Sequence, residues 1–239
     1  MVSTLSSFKE LFGGRHFKRE VIILCVLCYL HYKLSFPDQV KMMAEFGLNL
    51  AHMIILRWVG RYTPEFVKRL NRFGRTAGRL SRVDQTYIKV RGHWSFRYQA
   101  ADKAGQTIDF RLSRIRDVAR AKAFFKKAIR HEGRSPHTIA LDGHAASDRA
   151  VREMRTGGLL PKRAVVRSSE YLNNLIEQAH RGVKSRTRPM PGFKNFESAA
   201  ITIAGVELLR GIHKDQFALN QLRHKGQAAP AIWNAVLAA

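Results

Sequence analysis

Three acidic residues stand where neighbouring elements could bring them together. Asp84 precedes the alternating run Thr86 to Val90, Asp142 directly follows the short apolar run His137 to Leu141, and Glu177 lies one turn into a helical stretch that begins near Asn173. Carboxylate oxygens are what hard divalent cations such as Mg²⁺ select. Two such ions about 3.5–4 Å apart can activate a water or a 3′-hydroxyl and stabilise the leaving oxygen of a phosphodiester during in-line displacement. Other acids read as ordinary: Asp102 and Asp109 as solvated or turn residues of a hairpin region, Asp148 and Glu153 as surface partners of Arg149, Arg152 and Arg155 on one helix.

The elements that must position the three acids follow from pattern. Thr86 to Val90 alternates polar with β-branched or aromatic residues, Gly92 allows a turn, and His93 to Ala100 and Thr107 to Leu112 continue as antiparallel strands. A helix over Val118 to His131, a strand over His137 to Leu141, a helix over Ala145 to Met154, a strand at Ala164 to Val166 and the helix carrying Glu177 complete the series. The class is mixed α/β, with a mixed sheet flanked by helices. The order resembles the ribonuclease H-like fold of polynucleotidyl transferases, in which Glu177 would reach two strand-borne aspartates from a crossing helix.

The motifs themselves are specific. Asp84-Gln85-Thr86-Tyr87-Ile88-Lys89-Val90, Leu141-Asp142-Gly143 and Tyr171-Leu172-Asn173-Asn174-Leu175-Ile176-Glu177-Gln178-Ala179-His180-Arg181 resemble the three acidic motifs of bacterial DDE transposases, above all those of the insertion sequence six family. Gly192 to Phe196 with Ala199 to Leu209 is similar to that family's C-terminal signature, so the likeness runs from about Gly14 to the end of the chain. The resemblance implies an enzyme that binds the terminal inverted repeats of an insertion sequence and joins the cleaved ends to target DNA. Asp84, Asp142 and Glu177 would be both catalytic and metal-holding, with two Mg²⁺ ions for which Mn²⁺ can substitute. Repeat-end DNA and target DNA are the implied partners, with the chain acting as a homodimer or higher oligomer.

The chain departs from the family pattern at Gln85, where relatives carry Glu, at Ala179, where they carry Asp, at Glu170, where they carry Lys, and at Met53 and Ile54, where they carry Thr or Ser. These departures define the alternative, a weakly active or inactive copy that occupies element ends as a DNA-binding protein. On this reading, Gln85→Glu raises strand transfer more than Ala179→Asp.

Composition agrees with a nucleic-acid partner. The 239 residues are 45% hydrophobic, enough to bury a core, and carry a formal charge of +24 with a pI near 10.9, which suits a polyanion. The excess is spread along the whole chain, so DNA would be followed throughout its length. A role in RNA recognition is disfavoured because the aromatic residues do not read as strand-borne base-stacking pairs. Val21 to Leu30 is too short to span a bilayer and Met1 to Gly14 lacks a signal-peptide pattern, so a cytoplasmic, nucleoid-associated protein is expected. Cys25 and Cys28 read as small core residues of one helix.

Ahead of the acids the chain reads as helices over Phe17 to Tyr32, Phe36 to Phe46 and Leu50 to Tyr62, with a new helix starting at Thr63-Pro64-Glu65 and a basic linker over Arg72 to Arg79. The second and third helices give a helix-turn-helix pattern, with Arg57, Trp58 and Arg61 as DNA contacts. Further on, Asn173, Glu177, His180, Arg181 and Lys184 share a helical face, and Asn173, His180, Arg181 and Lys184 are the expected holders of DNA phosphates beside the acid. The expected domains are 1–76, helical and DNA-binding; 77–190, ribonuclease H-like and catalytic; and 191–239, a helical segment on the catalytic domain or on a partner subunit.

Overall fold

A computed structural model describes residues 11–14, 16–32, 34–76, 78, 80–168, 174–187, 192–218, 231–233 and 235, with backbone alone at 80, 168, 174–179 and 186. Two compact units emerge, residues 1–74 with 201–239, and residues 75–200.

In the first unit, α1 (Arg19–His31), α2 (Phe36–Glu45) and α3 (His52–Leu70) match the expected helices at their starts. A capping box between Ser35 and Asp38, with Pro37 in the first turn, begins α2. The expected break before Pro64 does not occur, and α3 runs on for a further two turns. Its buried stripe explains this: Ile55, Val59, Tyr62, Phe66 and Leu70 recur every three or four residues on both sides of Pro64. Pro64 and Gly60 are both exposed, so the carbonyl that loses its helical partner can turn to water. Cys25 and Cys28 are free and buried, and burial pushes the Cys25 thiol up to about 12. A further helix, Phe196–His213, supplies Gly205, where an added Cβ would lie 2.6 Å from Leu30 and 2.8 Å from Thr63. With Trp233 against Phe66, ring centroids 3.9 Å apart, residues from the C-terminal part of the chain thus complete the core around α1 and α3.

The second unit is built on β1 (Leu80–Val90), β2 (His93–Ala101), β3 (Thr107–Ser113), α4 (Val118–Glu132), β4 (Thr138–Leu141), α5 (Ala145–Thr156), β5 (Val165–Ser168) and α6 (Asn174–Thr187), after which Phe196–His213 is α7. The strand order is β3-β2-β1-β4-β5, antiparallel across β1 to β3 and parallel from β1 through β4 to β5. This is the five-stranded mixed sheet expected from the sequence. Arg91 and Gly92, both at positive φ, close the two-residue turn between β1 and β2. One face of the sheet presents Val83, Tyr98, Ala100, Ile108, Ile139 and Leu141 to Phe124, Phe125, Val151 and Met154 of α4 and α5. Strand alternation directs Asp84, Thr86, Arg97 and Gln99 to the opposite face, where α6 packs on β1 and β2.

β1 begins six residues before the expected start. Its first residues, Leu80 to Val83, pair in parallel with Thr138 to Leu141 of β4. Asp84 therefore sits inside a strand, at the point where that parallel pairing ends, and not at the mouth of one.

Candidate active site

The parallel register fixes the first two acids. Val83 lies opposite Leu141, so Asp84, inside β1, and Asp142, the first residue past β4, stand at the same level. A ligand site at the carboxyl ends of parallel strands is where α/β sheets place one. Burial first, and then the charge of Asp84, hold the Asp142 carboxyl above the usual carboxylate range. The backbone N–H of His144 and the Arg116 guanidinium act in the opposite direction. Asp142 Oδ1 accepts that N–H at 3.2 Å, and Asp84 Oδ1 accepts from the backbone N–H of Gln85 at 2.7 Å.

The third partner in this cluster is His180 of α6. It is buried, and its Nε2 lies 3.4 Å from Asp84 Oδ2. On the other side of the ring, Nη1 of the fully buried Arg97 donates to Nδ1 at 2.8 Å. A guanidinium can only donate, so Nδ1 accepts and the proton of the neutral imidazole sits on Nε2, facing Asp84. Protonation of Nδ1 would set two donors against each other. Burial, followed by the charges of Arg97 and Lys184, lowers the His180 pKa, and Asp84 offsets this in part. His180 thus sits within the acid cluster and not on a phosphate-facing surface, because β2 supplies a buried cation that its ring must satisfy.

His31, in the other unit, also has a lowered pKa, through burial and then His213. For both imidazoles the folded value lies below the ordinary 6.5. The unfolded chain then binds more protons, so their contribution to stability is present above pH 6.5 and lost as pH falls through the folded values. Denaturant midpoints measured from pH 7.5 down to 5.5 should fall, and His180→Gln should reduce that slope.

Gln85 faces the opposite side of β1 from Asp84. Its Nε2 donates to Ser147 Oγ of α5, and its Oε1 accepts from Arg116 Nε at 2.8 Å. Any influence of this position on the acids runs through Arg116, whose charge acts on Asp142. Gln85 could not be paired with Ser147 or Arg116 from local sequence, since these partners lie 31 or more residues away.

Among the other expected residues, Glu177 is on α6 one turn before His180, with its side chain outside the described residues. Asn173 also lies outside them. Arg181 and Lys184 are exposed on α6. In the other unit Arg57 and Arg61 are exposed on α3, whereas Trp58 is buried with its ring edge-on to Phe17 at 5.5 Å, where its first role is packing.

The DDE domain family matches residues 79–216, a span that holds the whole cluster. The transposase of the insertion sequence-like element IS431mec from Staphylococcus aureus (strain Mu50 / ATCC 700699) is 33% identical over 204 residues, covering 85% of this chain and 88% of that protein. The chain belongs to the insertion sequence six family of DDE transposases. A second Staphylococcus aureus relative, the transposase of insertion sequence element IS257 in transposon Tn4003, matches with the same identity and coverage. A chain of the simian T-cell lymphotropic virus intasome, solved in complex with the PP2A regulatory subunit B56 gamma, has a TM-score of 0.40 and 13% identity, covering 69% of this chain and 63% of that one.

The family acts on DNA and generally uses divalent metal ions. Asp84 and Asp142 fit such ions. They offer hard oxygen donors side by side, and a bound cation would offset both the burial and the Asp84 charge that raise Asp142. Among the described residues no set of three His, Cys, Asp or Glu forms a metal-binding group, and the side chain of Glu177 is not one of those described. No helix among the described residues is long and apolar enough to cross a membrane.

Proposed function

We propose that the protein is a transposase that binds the terminal inverted repeats of its element, cleaves at their ends and transfers the strand into target DNA. The observation that carries this reading is the placement of Asp84 on β1 and Asp142 just past the end of β4 at one level, with His180 Nε2 3.4 Å from Asp84. Asp84, Asp142 and Glu177 would hold two Mg²⁺ ions. When bound, these ions supply activation of the attacking water or 3′-hydroxyl and stabilisation of the leaving oxygen. His180 keeps Asp84 in one orientation through its Nε2–H, and Arg97 keeps His180 in one tautomer. Arg181 and Lys184 of α6 hold the phosphates that flank the reacting bond. In the other unit α2, its turn and α3 act as a helix-turn-helix, with Arg57 and Arg61 toward the repeat-end duplex. The protein works in the cytoplasm on nucleoid DNA, as a dimer or larger assembly.

Binding of the full-length chain to a repeat-end duplex, titrated against salt without divalent ions, tests the DNA half of this reading. The affinity should fall log-linearly with salt. Arg57→Ala and Arg61→Ala should each flatten the slope by about one unit. Equal affinity for repeat-end and scrambled duplexes would sink it. The full chain is needed because α7 and Trp233 contribute to the core that α3 shares.

A further inference from the structure

We propose that the end of the β1–β2 hairpin is a stacking platform for unpaired nucleotides of the DNA end. This rests on reading the chain as an enzyme that acts on DNA ends. Of the three tryptophans, Trp58 and Trp233 are 8% and 2% exposed, whereas Trp94 is 61% exposed. An indole left open forfeits the burial of a large apolar surface, so packing does not account for its position. Tyr87, 48% exposed, meets Trp94 edge-on at 6.0 Å, and Nζ of Lys89, directly across the strand pair, stands 5.7 Å from the Trp94 ring centroid.

These residues share a groove with α6. Its walls include Tyr87, Lys89 and Trp94 from the hairpin and Arg181 and Lys184 from the helix, and no acid lines it among the described residues. Lys184 lies one helical turn beyond His180, so a single helix runs from the acid cluster into this groove. Cations that follow a phosphate backbone, interleaved with open aromatic faces, form the combination that binds single strands without regard to sequence. A duplex keeps its base faces stacked on one another, so only unpaired bases can use an exposed indole. The groove is fitted to a short single-stranded tail, such as an end acquires when cleavage on the two strands is staggered or the terminal pairs open.

The test compares full-length protein on four ligands, without divalent ions: a blunt repeat-end duplex, the same duplex with a four-nucleotide 3′ tail, and both in a scrambled sequence. Tailed DNA should bind about tenfold more tightly than blunt DNA in either sequence, and Trp94→Ala should abolish that advantage, since one stacked base accounts for a factor of this order. A tail should also protect the accessible tryptophan fluorescence from acrylamide, a signal that Trp94→Phe removes because the other two indoles are buried. The platform is excluded if Trp94→Ala keeps the tail advantage, or if blunt duplex protects the indole as well as tailed duplex does. Loss of repeat-end preference with the tail advantage intact would count against end recognition and leave the platform standing.

Discussion

Asp142→Asn should yield a protein that is more stable than the parent in the absence of divalent ions and inactive in their presence. Burial and the neighbouring Asp84 raise the Asp142 carboxyl above its unfolded value of 3.8, so its charged form weakens the fold at neutral pH. The sign follows from proton binding: the folded state holds more protons, and stability rises as pH falls through the raised value. Asparagine removes the charge and keeps an oxygen for the His144 N–H. The melting temperature without metal should therefore rise, by a few degrees. Added Mg²⁺ or Mn²⁺ should raise the melting temperature of the parent and not of the variant, because ligand binding stabilises only a chain that holds the ion. Catalysis should drop by about 10³-fold or more, since metal stabilisation of transition-state charge amounts to several kcal/mol and each 1.36 kcal/mol is a factor of ten. An Asp142→Asn protein that is less stable and still shifts with Mg²⁺ would assign this aspartate to packing.

His180 should matter through Asp84 and not through DNA. His180→Phe removes both the acceptor for Arg97 and the donor toward Asp84, and should lower strand transfer by about 10–100-fold at saturating DNA. His180→Gln offers an amide oxygen to Arg97 and an N–H to Asp84, so it should retain much more of the rate. The salt slope of DNA binding should stay at the parent value in both, because the ring is buried. A flattened slope in His180→Phe would return His180 to the phosphate-contacting group.

Most of the second unit was legible in the sequence because its strands and helices each carry their own periodicity. Residues 118–132 and 145–156 repeat their apolar positions at helical spacing, and the hairpin turn is marked by Gly92. The start of β1 was not legible, since Leu80 and Ser81 pair with β4 and not with β2, and β4 lies more than 50 residues away. The same holds for the direction of side chains. Adjacent residues on a strand diverge, which sends Asp84 to His180 and Gln85 to Ser147, although the motif reads them as one unit. The helix break foreseen at Pro64 failed because a local rule about proline was outweighed by a buried stripe that continues past it. Strand-borne aromatics were also missed: the register sets Tyr87 opposite Phe96 and Lys89 opposite Trp94, a pairing that composition does not reveal.

Glu177 is the acid whose role the fold supports least directly, because its place on α6 rests on backbone position and on the family motif. Its test is also the test of the whole site. Strand transfer of a labelled repeat-end oligonucleotide into plasmid DNA should be measured at saturating DNA with Mg²⁺, for the parent chain and for Asp84→Asn, Asp142→Asn and Glu177→Gln. Joined product should form with the parent alone, vanish on chelation, and be absent from each variant while end binding persists. Full product from any one of the three, or product that survives chelation, would contradict a single metal site built from β1, β4 and α6.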